Sequence, residues 1–141
     1  MRPLFLFARL PRGESLAHSK GAVFALALLA ALPAHAAGSA EAGKEYFTAT
    51  CMVCHSAEPT DDGGAQGPVL YGLIGRTAGK GDPKFKYTKA IKASNVVWNA
   101  ATLDKFLTNP PAMIYGTAMA EIVASKADRD NIIAYFTSLK K

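Results

Sequence analysis

The sequence predicts an all-α fold of three or four helices joined by long irregular loops. Three observations point there. Apolar residues recur at helical spacing behind good capping residues, and no stretch shows the apolar/polar alternation of a strand. The residues between His55 and Tyr87 are so rich in Gly, Pro and Asp that only turns are expected among them.

Taken in order, Ser39 can cap a first helix running to about Thr50, with Gly43, Phe47 and Thr50 on one face. The runs "EPTDDGGAQGP" and "GRTAGKGDPKF" hold no element longer than a turn. A short helix is predicted around Tyr87 to Ala93, then a brief extended piece at Val96-Val97-Trp98. Asn99 can cap a helix that sets Leu103, Phe106 and Leu107 on one face and stops at Asn109-Pro110-Pro111. A loop, "PPAMIYGTAMAE", follows. Ser125 with Asp128 forms a capping box for the last helix, whose Ile132, Ile133, Tyr135, Phe136 and Leu139 make an apolar stripe, and Lys140 and Lys141 suit its negative end. The sequence has no internal repeat and no second folded domain.

Ahead of these elements, Gly21 to Leu32 is a twelve-residue apolar block without a charge. A helix crossing a bilayer needs about 20 such residues, so the block fits the apolar centre of an export signal and no stable membrane insertion is expected. Arg2, Arg9, Arg12 and Lys20 precede it, and Pro33 with Ala34-His35-Ala36 supplies a helix breaker and a small-residue cleavage site. The expectation is a signal peptide over 1–36, a domain over 37–141 and a periplasmic location. Without the leader, 16 basic against 11 acidic residues become 12 against 10, a net charge of +2. The basic character therefore belongs mostly to the leader, and nucleic-acid binding is excluded as a reading of overall charge. His55 is the one histidine left, and the remaining methionines are Met52, Met113 and Met119.

"CMVCH", Cys51 to His55, holds the only two cysteines of the chain. A thioredoxin-like redox pair needs a βαβ context that is missing. A structural zinc site needs four ligands where two cysteines and one histidine exist. A local disulfide leaves both His55 and the unpacked loops unexplained. Covalent haem attachment accounts for all of it. Two thiols one helical turn apart can each join one vinyl group of a porphyrin, the adjacent imidazole can ligate the iron, and the haem supplies an apolar centre for the loops to wrap. The cofactor expected is therefore a single haem c bound through Cys51 and Cys54. For the other face of the iron Met52 is excluded by its place between the anchoring cysteines. Met113 and Met119 are both within reach, and Gly116 and Thr117 favour Met119.

Beyond this motif the chain resembles the small class I cytochromes c. The resemblance runs through "GPVLYGLIGRTAG" at 67–79, "FKYTKAIKASNVVW" at 85–98, "TLDKFLTNP" at 102–110, "GTAM" at 116–119 and "IIAYF" at 132–136, and covers nearly all of 39–141. It implies the class I fold, three to four helices and long loops wrapped around one covalently bound haem. By the same resemblance His55 is the proximal ligand, its second ring nitrogen donating to the carbonyl of Pro68, and Met119 is the sixth ligand. Arg76, Tyr87 and Trp98 are implied to hydrogen-bond the inner haem propionate, and Gly43 and Phe47 to pack across Tyr135; the hydroxyl of Thr117 can itself brace the ligand loop or a propionate. The chain departs from the family at Phe106, where a tyrosine is usual, and at Tyr115, where proline is frequent. Pro111, Ala112 and Ala118 replace lysines that ring the haem edge in mitochondrial members.

An iron held by histidine and methionine has no open position for a substrate, so the function implied is a soluble, exported mono-haem electron carrier cycling between ferric and ferrous iron, and no enzyme. Its expected partners are an electron donor and acceptor, both redox proteins, and the cytochrome c maturation machinery, with the carrier itself a monomer. Rival readings are a haem subunit permanently docked to a dehydrogenase and an open-site haem protein that binds a small ligand. The exposed-looking cluster Lys80, Lys84, Lys86, Lys89 and Lys92 opposes Glu58, Asp61 and Asp62 and predicts a dipolar surface.

Overall fold

Ser39 begins the first helix as the sequence predicts: its hydroxyl accepts from the Ala42 N–H at 3.2 Å, and α1 runs over Ala40–Tyr46. The structure, a computed structural model, describes residues 38–61 and 66–139. The signal-peptide reading of 1–36 and the terminal Lys140 and Lys141 lie outside those residues. α1 does not continue as a regular helix to Thr50. From Phe47 to Cys51 it widens into a π-helical turn, with Met52 N–H donating to Phe47 O at 2.9 Å. Such single π turns recur at functional sites because they re-aim the side chains that follow.

The remaining helices are short and capped. Thr88 caps α2, Lys89–Ala93, which starts two residues later than expected. Asn99 and Thr102 exchange side-chain and backbone bonds in a reciprocal box that opens α3, Ala100–Thr108. The expected loop after Asn109 contains a helical turn instead, α4 over Pro110–Met113. Asn109 accepts from Ala112 N–H at 3.1 Å, and a proline in the first turn loses no hydrogen bond because those N–H groups are orphans anyway. Ser125 accepts from Asp128 N–H to open α5, Lys126–Ser138.

α1 and α5 pack directly on each other. A Cβ on Gly43 would lie 2.0 Å from Asn131 O, so only glycine permits this approach. Phe47 fills the crossing, with ring centroids 5.6 Å from Tyr135 and 5.7 Å from Phe136. α3 adds Leu103, Phe106 and Leu107 to the same core. Among the described residues the only β pairing is an isolated antiparallel bridge, Thr77 to Val97. Around it Gly75 N–H donates to Trp98 O, Trp98 N–H to Arg76 O and Ala78 N–H to Val96 O, at 2.7–2.9 Å, closing residues 75–98 into one long loop. This helical arrangement with long loops is the one that the resemblance implies.

Candidate haem-binding site

The π turn and the tight turn after it set up the attachment motif. Cys51 O accepts from both Cys54 N–H, 3.0 Å, and His55 N–H, 2.9 Å, which folds the motif into a tight turn against one wall of a cavity of about 480 Å³. Cys51, Cys54 and His55 all line it. The two cysteines are not bonded to each other, and burial, with Glu121 and Cys54 nearby, pushes the Cys51 thiol up to about 11. Reactive redox cysteines are distinguished by the opposite shift, which Cys51 does not show. Among the described residues no cluster of three or more His, Cys, Asp or Glu side chains could hold a metal ion, and the zinc reading lacks its ligands.

His55 Nδ1 lies 3.0 Å from Pro68 O, and a carbonyl only accepts, so Nδ1 carries the proton and Nε2 presents a lone pair. Burial lowers the His55 pKa and the Pro68 bond opposes that shift. The net effect favours the neutral ring that a ligand must be. Gly67 leaves room for it, since a Cβ there would sit 2.3 Å from His55 Cε1.

Met119 lines the same cavity, and Met113 does not: it sits in α4 and packs against the rim of the hydrophobic core. Gly116, at φ +87°, turns the chain toward the cavity, and Thr117 Oγ1 accepts from Met119 N–H at 3.3 Å. This contact ties Thr117 to the backbone of Met119. Thr117 also borders the cavity.

The polar side of the cavity comes from the closed loop. Arg76 Nη2 donates to Val69 O at 2.8 Å, while Arg76 Nε is fully buried without a partner. Leaving a buried donor unsatisfied costs about 1–3 kcal/mol, and an anionic acceptor such as a haem propionate would remove that penalty. Burial lowers the Arg76 pKa, and the neighbouring Tyr87 and Asp82 counter it. Tyr87 Oη accepts from Asp82 N–H at 3.1 Å, and Trp98, buried, stacks edge-on against Phe106 with centroids 5.0 Å apart. All three predicted propionate residues therefore border the cavity. The apolar walls, the thiols, a neutral imidazole, a thioether and an orphaned guanidinium N–H fit a haem.

Sequence reasoning missed two groups. Asp82 is buried between the loops, and Arg129 is buried beneath the chain that follows Met119. Both read as surface charges in their sequence context, and only their distant partners mark them out. Of the departures, Phe106 is used as an aromatic partner for Trp98, whereas Tyr115 is 94% exposed.

Comparison with known proteins agrees. The cytochrome c family profile matches residues 40–140. Cytochrome c of Euglena viridis is 41% identical over 104 residues, 73% of this chain and 99% of that protein. Cytochrome c2 of Rhodomicrobium vannielii is 38% identical over 120 residues, 84% of this chain and 94% of that one. Cytochrome c-type cyt cy of Rhodobacter capsulatus is 39% identical over 110 residues, 77% of this chain and 53% of its own length. With the fold, the attachment motif and these matches in agreement, the chain belongs to the cytochrome c family and carries haem c on its Cys51/Cys54 pair.

Proposed function

We propose that this cytochrome is an exported electron carrier whose haem iron would be held by His55 and Met119. The observation that carries the reading is the single cavity that collects Cys51, Cys54, His55 and Met119 from two distant parts of the chain. When bound, the haem supplies a one-electron ferric/ferrous couple.

Each protein group has a part in that work. Cys51 and Cys54 hold the group permanently, so it cannot be lost during an encounter. His55, its tautomer fixed by Pro68, donates through Nε2. Met119 would contribute a soft sulfur, a donor that favours the reduced state and raises the potential. Arg76 balances propionate charge, and Tyr87 and Trp98 exclude water beside it. With His55 and Met119 both given to the haem, the iron would offer no place for a substrate, which would make the protein a carrier and not an enzyme.

Its partners are redox proteins that meet it at the edge of the cavity. Such encounters bury little surface, below about 1,200 Å², so that release stays fast. The charged apolar leader at 1–36 supports export to the periplasm, where maturation machinery joins the thiols to the haem; among the described residues no helix is long and apolar enough to cross a membrane.

Optical spectra of the purified holoprotein in both oxidation states, with acid-acetone extraction, test this reading. Haem retained by the polypeptide and a low-spin ferric spectrum with the weak sulfur-to-iron charge-transfer absorption are expected. Haem that washes out, or high-spin ferric iron, would overturn it.

A further inference from the structure

The peptide unit between Pro68 and Val69 is hydrogen-bonded at both of its polar groups, and both partners are ionisable side chains. Its carbonyl accepts from His55 Nδ1 at 3.0 Å. Its N–H, on Val69, donates to Asp82 Oδ2 at 3.2 Å. The other oxygen of Asp82 accepts from Lys84 N–H at 3.0 Å, and the residue is only 9% exposed. Arg76 holds the next carbonyl, Val69 O, so the segment is fixed from two sides. Nothing in the electron-carrier reading requires a buried carboxylate at this place.

A hydrogen-bonded peptide polarises as a unit. An anion that accepts from its N–H shifts electron density toward its C=O and strengthens the carbonyl as an acceptor. A stronger acceptor at Pro68 draws the Nδ1 proton of His55 and makes Nε2 more basic, as a carboxylate bonded directly to a metal-ligating histidine does. We propose that Asp82 is a positioning residue that acts on His55 through the Pro68–Val69 peptide, fixing the imidazole and raising its donor strength, so that the reduction potential is lower than it would be without the carboxylate. The proposal rests on His55 being an axial ligand.

A simple loop brace makes a different demand. Bracing needs only a hydrogen-bond acceptor at Val69 N–H, which an amide oxygen supplies, whereas polarisation of the peptide needs the negative charge. Asp82→Asn separates the two, and Asp82→Ala removes both.

The experiment uses the intact holoprotein, with potentiometry and NMR of the reduced state. In unmodified protein the Val69 amide is expected to exchange slowly with solvent and to resonate far downfield; a rapidly exchanging amide overturns the proposal with no variant needed. In Asp82→Asn the His55 Nδ1 proton should move upfield and the reduction potential should rise while the fold is kept. In Asp82→Ala both changes should recur, with faster exchange at Val69. A higher potential in Asp82→Asn with an unmoved His55 proton overturns the relay in favour of plain through-space charge, and no change in either quantity overturns it outright. If the His55 ring resonances of the unmodified protein lack the displacement that a haem ligand shows, the axial assignment itself has failed. If they are displaced and Asp82→Asn leaves them in place, only the role of Asp82 has failed.

Discussion

Arg129 Nε donates to Asp104 Oδ1 at 2.8 Å, and the same guanidinium donates through Nη1 to the carbonyls of Val123 and Ala124, each at 2.8 Å. One side chain on α5 thus fastens α3 and the chain that follows Met119. The two partners are unequal in burial, with side chains 9% and 35% exposed respectively.

That inequality sets the first prediction. Arg129→Met strands two backbone carbonyls and the Asp104 carboxylate, a loss of about 3 kcal/mol. Asp104→Asn keeps an acceptor at a partly solvated position and should lose about 1 kcal/mol. Urea denaturation of both holoproteins measures the difference, and equal losses would contradict the bracing role of Arg129.

Met119→Leu should abolish the sulfur-to-iron absorption of the ferric protein, lower its reduction potential and open the iron to added small ligands. Met113→Leu, a volume-conserving change at the rim of the core, should retain the absorption and cost below about 1.5 kcal/mol. A reversed pattern would move the sixth ligand to Met113 and leave the fold unaffected.

Two glycine substitutions should separate site from scaffold. Gly67→Ala places a methyl against the His55 ring and should disturb the spectrum and potential of the holoprotein. Gly43→Ala drives a Cβ into Asn131 O at the helix crossing and should lower stability by about 1–3 kcal/mol with the spectrum intact. A normal spectrum for Gly67→Ala would refute the close packing at His55.

Alkaline pH should weaken the fold. Burial raises the pKa of Tyr87, with the Asp82 N–H bond and the Arg76 charge opposing it, and burial also raises Tyr46 and Tyr135. A phenol whose folded pKa lies above the unfolded value contributes stability below that value, 10.0, and loses it as pH rises through the folded pKa. Denaturation midpoints should therefore fall above pH 10, less steeply in Tyr87→Phe. An identical slope in that variant would remove Tyr87 from the account.

Local signals were legible and long-range ones were not. Ser39, Asn99 and Ser125 cap helices because capping involves atoms two or three residues away, and the sequence displays both partners. The attachment motif was equally readable, since its three chemical groups lie within five residues. The turn of α4 was hidden by the habit of reading Pro-Pro as a stop, although Asn109-Pro110 is also a helix-opening pair. Asp82 and Arg129 gave no signal. Each looks like one more solvated charge until the fold supplies Val69 N–H in one case and Asp104 with two carbonyls in the other.

The main-chain bonds at Thr77 and Val97 act as a clasp on the 75–98 loop. Because the clasp is made of backbone, its strength depends little on which side chains the loop carries, and lengthening such a ring costs only ~0.6 kcal/mol per doubling. The three bonds lie wholly within residues 75–98 and involve neither α1 nor α5. Arg76, Tyr87 and Trp98 ride on it together, so one clasp keeps three side chains of the cavity wall in place. The polar wall of the cavity is in effect fastened by three main-chain hydrogen bonds, separate from the helical frame.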